Sequence, residues 1–97
     1  MATYIALSRF TDQGIRTVKD TTKRAAAVAE AAKKFDASLT QIYWTLGHYD
    51  LVTIIDAEDE QAATAFALSI ASAGNIRMET LRAFNRDEMT SILGKVP

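Results

Sequence analysis

Apolar and polar side chains alternate with period two in four stretches of this chain and recur at helical spacing between them. Thr3 to Phe10 (TYIALSRF) puts Ile5 and Leu7 on one face of an extended segment and Tyr4, Ala6, Ser8 and Phe10 on the other, which predicts a first strand. Thr11 to Gly14 is a turn cluster, and Ile15 to Lys19 is expected to continue as irregular chain. Asp20, Thr21 and Thr22 then offer N-cap oxygens to an alanine-rich helix whose Ala25, Val28, Ala29, Ala32 and Phe35 share one face. Leu39 to Leu46 (LTQIYWTL) and Tyr49 to Ala57 (YDLVTIIDA) predict a second and a third strand. Only Gly47 and His48 separate them, so a tight hairpin is expected. Asp59 caps a second helix, Glu60 to Ala73, with Ala62, Ala63, Phe66, Ala67 and Ile70 on its buried side and Gly74 at the C′ position. Ile76 to Phe84 (IRMETLRAF) predicts a fourth strand, and Asp87 to Leu93 a short terminal helix with Met89, Ile92 and Leu93 turned inward.

The order β-α-β-β-α-β specifies an α+β, ferredoxin-like arrangement: a four-stranded antiparallel sheet with both helices on one face. Sorting the strands by alternation assigns Ile5, Leu7, Ile42, Trp44, Val52, Ile54, Leu81 and Ala83 to the helix side. The opposite side receives Tyr4, Ala6, Ser8, Phe10, Gln41, Tyr43, Thr53, Ile55, Met78, Thr80, Arg82 and Phe84. That second set is too apolar to be left in water, so a second copy packing face to face is expected to cover it. Arg82 is its most informative member, because a guanidinium in such an interface needs a carboxylate, carbonyls or an anionic ligand. Two readings stand: a structural one, a salt bridge across a dimer or an arginine that snorkels to the sheet edge, and a functional one, an anchor for a ligand carboxylate or enolate; Tyr4, Tyr43 and Thr80 are its expected neighbours in either case.

Composition narrows the functional classes. The chain has 97 residues, read as one domain over 1–97, and this size leaves self-association as a natural source of extra stability. Eleven basic residues face twelve acidic ones and are scattered along the chain, which argues against a nucleic-acid surface. With no cysteine, disulfides and thiolate chemistry are excluded, and a reducing, cytoplasmic setting is expected. No apolar run approaches the roughly 20 residues needed to span a bilayer, so no membrane role is expected.

The densest chemistry is LGHYDL, Leu46 to Leu51, with the only histidine. His48 at a hairpin tip is most simply a solvated residue; a general base or haem ligand is the sharper alternative. Tyr49 and Asp50 read as a packed phenol and a carboxylate accepting hydrogen bonds beside the turn, against a Tyr/Asp pair at a pocket mouth. Adjacent strand residues point apart, which disfavours a contiguous dyad. No metal-ligand spacing, phosphate-cradling loop, dinucleotide fingerprint or serine-nucleophile motif occurs, so no metal and no cofactor are expected, with haem the one alternative.

Gly47, Tyr49 and Asp50 form Gly-x-Tyr-Asp, and Gly74, Asn75, Arg77, Glu79, Thr80, Arg82, Ala83 and Phe84 form a second motif, G-N-x-R-x-E-T-x-R-A-F. With the upstream GIRTVKDTTKR, these resemble the GYD domain family over nearly the whole chain. The resemblance implies a ferredoxin-like fold of the dimeric α+β barrel kind and leaves the activity largely unassigned; His48 occupies the free position of its motif. The readings are a homo-oligomeric module that binds or senses a small organic molecule between or beside the sheet faces, a small cofactor-independent monooxygenase or isomerase, and a purely structural interaction module. Whether it is an enzyme stays open. The ligand-binding candidates are Arg82, Tyr4, Tyr43, Thr80, Tyr49, Asp50 and His48.

Overall fold

A computed structural model describes all 97 residues. The elements are β1 (Ala2–Phe10), α1 (Asp12–Arg16), α2 (Thr21–Ala31), β2 (Ala37–Trp44), β3 (Leu51–Ala57), α3 (Glu60–Ser72), β4 (Ile76–Ala83) and α4 (Arg86–Leu93). The four strands form one sheet in the order β2-β3-β1-β4, every neighbouring pair antiparallel. This is the ferredoxin-like arrangement, as the element order predicts.

Local chemistry accounts for the boundaries. Asp59 accepts the Ala62 N–H at 2.9 Å and starts α3, while Asn85 and Glu88 form a reciprocal capping box that starts α4. The expected turn cluster and the irregular stretch after it instead form α1, capped by Thr11, and a 3-10 turn at Val18–Asp20. The helix expected to reach the paired lysines leaves α geometry at Ala31, and a 3-10 turn, Ala32–Phe35, ends on Asp36 in the left-handed region. Gly14 is fixed by proximity: a Cβ there would stand 1.9 Å from the Asn75 carbonyl oxygen. The hairpin is looser than expected. β2 ends at Trp44, Thr45 N–H donates to Asp50 O at 2.8 Å, and Leu46–Tyr49 form the tip. Gly47 carries φ of +125° there, a region that favours glycine.

The faces of the sheet correct the alternation argument. The buried strand residues are Tyr4, Ala6, Ser8, Leu51, Thr53, Ile55, Ala37 and Ala57, and they pack beneath α3 with Phe66, Ala63 and Ala32 in the core. The register pairs Tyr4 with Arg82, Ala6 with Thr80 and Ser8 with Met78, so β4 presents those residues to the helix side too. The bare face carries Ile5, Leu7, Val52, Ile54, Leu81 and Ala83 instead. Only β2 follows the expectation, with Ile42 and Trp44 paired to Thr53 and Leu51 on the helix side, and Gln41 and Tyr43 on the bare side. A strand with apolar residues on both faces does not reveal by periodicity which face meets the helices, and a one-residue slip exchanges the two sets. An irregularity between Leu39 and Gln41 adds to the ambiguity, because it puts Leu39 and Ile42 on one face across a bulge.

α4 also departs from expectation. It makes no extensive packing against another element, and Met89 and Leu93 are exposed rather than turned inward.

Candidate functional site

The helices do not press flat on the sheet. Buried sheet residues include Ala6 and Ser8, and α2 has no buried residue of its own. Between α2, α3 and the sheet lies a half-open cavity of about 280 Å³. Phe10, Leu39, Ile42, Leu51, Ile55, Ile76 and Met78 line it from the strands, and Ala25, Val28, Ala31, Phe66 and Ile70 from the helices. Two hydroxyl residues, Ser8 and Thr53, interrupt the apolar floor. Arg24 stands on the helix side, its guanidinium donating to Thr17 O at 2.9 Å, Thr17 Oγ1 at 2.8 Å and Gly14 O at 3.2 Å. Trp44, expected as core, is 42% exposed, and its indole N–H donates to Thr21 Oγ1 at 3.1 Å, tying β2 to the start of α2.

None of the seven ligand-binding candidates named from the sequence lines this cavity. Tyr4, Thr80 and Arg82 do come together, on the helix side rather than on the bare face, in a cleft between α3 and β4. Arg82 lies 5.6 Å from the Tyr4 ring centre and 4.5 Å from that of Phe84. It donates to the carbonyl oxygens of Thr3 and Ala83 and pairs with Glu88 Oε2 at 3.6 Å. Its charge is therefore met within the chain, by carbonyls and a carboxylate from α4. The Tyr4 hydroxyl is buried and makes no hydrogen bond. Tyr43 stands apart on the bare face, 57% exposed, its hydroxyl donating to Gln41 Oε1 at 3.0 Å.

LGHYDL resolves into separate roles. The Asp50 carboxylate accepts the Phe10 N–H at 2.9 Å, and the Asp50 N–H donates to Ser8 O at 2.8 Å, so Asp50 joins the hairpin to the end of β1. The Tyr49 hydroxyl donates to Glu79 Oε2 at 2.8 Å, with the Arg9 guanidinium 5.0 Å from its ring centre. The hydrogen bond to the Glu79 carboxylate, then partial desolvation and the negative charge itself, raise the Tyr49 pKa above the ordinary value of 10.0, with Arg9 opposing. His48 packs edge-on against Tyr49, and Arg9 engages both its ring nitrogen and its carbonyl. It lines neither the cavity nor the cleft. No three His, Cys, Asp or Glu side chains converge as a metal site, and no helix is long and apolar enough to cross a membrane.

A signal for the missed residues exists in the sequence. Small side chains at Ala6 and Ser8, opposite alanine-rich helices, mark the face where helices and sheet meet. The larger aliphatics of β1, Ile5 and Leu7, lie on the other side.

Fold and site together define a ferredoxin-like α+β domain with an apolar space under its helices and a bare apolar sheet face. The GYD domain profile matches residues 4–93, and the chain belongs to the GYD domain family. The glutamine synthetase and cystathionine beta-lyase binding protein of Thermus thermophilus is similar, at 34% identity over 84 residues, covering 86% of this chain and 88% of that protein. A crystal structure of a protein from Thermus thermophilus is also similar, with a TM-score of 0.57 and 26% identity over 88% of this chain and 95% of that one.

Proposed function

We propose that this chain is a homo-oligomeric binding module that holds a small organic molecule under its helices. The observation that carries the reading is the roughly 280 Å³ apolar cavity, which joins side chains from all four strands and both long helices. Ligand sites are characteristically concave and apolar with a few polar groups. The catalytic alternative has less support: the cavity wall holds no carboxylate, histidine or lysine to act as acid or base.

Self-association follows from the other side of the sheet. Ile5, Leu7, Val52, Ile54 and Leu81 form a continuous apolar strip there, with Leu81 42% exposed. A second copy packing face to face would cover it, giving a dimeric α+β barrel of the kind the family resemblance implies. Native mass spectrometry of protein purified from its host tests both parts. A dimer or larger oligomer carrying a small-molecule adduct is the expected result. A monomer overturns the assembly, and a ligand-free protein that also binds no apolar probe overturns the binding role.

A second reading, a module that binds other proteins, is favoured by the name of the Thermus relative, which states that that protein binds glutamine synthetase and cystathionine beta-lyase. Leu46, fully exposed at the hairpin tip, and the apolar side of α4 give this chain surfaces for such contacts. Sedimentation of the purified protein with purified glutamine synthetase tests it: co-migration supports the reading, and independent migration removes it.

A further inference from the structure

We infer that the cavity takes an uncharged, largely apolar molecule with one hydrogen-bonding group, seated against Ser8 and Thr53. The inference rests on the small-molecule reading above and assigns its ligand a chemical class.

Arg24 is the one ionisable side chain in the cavity wall. Three neutral oxygens from Gly14 and Thr17 already take three of its five N–H donors, closing the end of α1 onto α2. A ligand carboxylate could pair only with the donors Arg24 has left; seated anywhere else it would lie unpaired against apolar walls, and an unpaired buried charge is costly. A cationic ligand would find no carboxylate to meet it. Away from Arg24, charge of either sign is disfavoured.

The hydroxyls then locate the polar end. Ser8 is 1% exposed and Thr53 8%. They lie on neighbouring strands: Thr53 pairs with Ala6, two positions along β1 from Ser8, so both project from the same face. Ser8 uses its carbonyl for the Asp50 N–H. Hydroxyls donate and accept, so this pair fits an alcohol, a phenol or a carbonyl alike. Every other strand side chain on the wall is apolar; of the remaining polar lining residues, Thr21 Oγ1 accepts the Trp44 indole N–H, Asn75 Oδ1 accepts from Gln13, and Ser69 is exposed. The volume, about 280 Å³, is at the small end for ligand pockets and fits one or two rings. Interiors elsewhere are close-packed, so such a body supplies contacts that the walls otherwise lack.

The test uses three probes of one shape: naphthalene, 2-naphthol and 2-naphthoate, titrated at neutral pH against the intact chain by calorimetry and thermal shift. The expected result is 2-naphthol binding about tenfold or more tighter than 2-naphthoate, because only the carboxylate must bury a charge. Ser8→Ala combined with Thr53→Val should bring 2-naphthol down to the affinity of naphthalene while naphthalene is unchanged. Ala31→Phe, which fills the cavity, should abolish binding of all three without unfolding the chain. Equal or tighter binding of 2-naphthoate overturns the inference and leaves the binding role standing. Insensitivity of 2-naphthol to the hydroxyl variants overturns the seat assigned here. Failure of all three probes overturns the binding role and the inference together.

Discussion

The Tyr49 hydroxyl donates to Glu79 at 2.8 Å, so the two sequence motifs that carry the family resemblance touch across the sheet. The bond favours the neutral phenol and raises its pKa. In the unfolded chain the phenol loses its proton near 10.0, whereas the folded chain keeps it to higher pH. Its stabilising contribution is therefore complete below the unfolded value and disappears as pH rises through the folded one. Spectrophotometric titration of tyrosinate should show Tyr49 ionising late. Glu79→Gln should return it towards the ordinary value, and an unchanged titration would remove the coupling.

Asp50 is expected to matter for stability rather than for proton transfer. Replacing it with Ala leaves the Phe10 N–H without its acceptor, at a cost of about 1–3 kcal/mol. Gly47→Ala has open space for its methyl group but an unfavourable φ, and should cost about 1–3 kcal/mol. Urea midpoints measure both. A neutral result for Asp50→Ala would return the residue to the list of ligand-binding candidates.

Tyr4→Phe should stabilise the chain. The hydroxyl is buried without a partner, and removing it relieves a penalty of about 1 kcal/mol or more. A higher melting temperature is the expected outcome. A lower one would mean that a bound group meets this hydroxyl in the cleft between α3 and β4.

Arg82→Met tests the tether of α4. Glu88 and the carbonyls of Thr3 and Ala83 hold the guanidinium, and α4 has little other packing. Amide exchange within Arg86–Leu93 should quicken while the strands keep their protection. Unchanged exchange in α4 would show that the ion pair is not its anchor.

Ile54→Lys places a charge in the middle of the bare sheet face. The folded protein should become monomeric at micromolar concentration, as read by light scattering, with its helical circular dichroism retained. A persistent dimer would locate the interface elsewhere.

The order of elements is legible in the sequence because caps and breakers are local: Asp59, Gly74 and the alternating runs each act within a few residues. The orientation of the sheet is not legible from alternation, since β1 and β3 are apolar on both faces, and only the small Ala6 and Ser8 mark the side that the helices cover. Alternation puts Arg82 on the wrong side for that reason. Its companionship with Tyr4 and Thr80 survives, because residues two apart on a strand and paired across a ladder stay together whichever face they share. The volume of the cavity is not legible. It arises from how far α2 stands from the sheet, a quantity that no periodicity encodes.

The clamp between α1 and the entry to β4 has a kinetic consequence. Thr11 donates to the carbonyls of Asn75 and Gly74, and Gln13 reaches Ala73 and Asn75, contacts that join residues sixty or more positions apart. The β2–β3 hairpin needs only a short loop, whereas pairing β1 with β4 closes most of the chain. Loop closure on that scale slows the search for the native state. The last strand is thus the natural late arrival in folding, and the Gly14–Asn75 contact, with no room even for a methyl group, is the latch that shuts behind it.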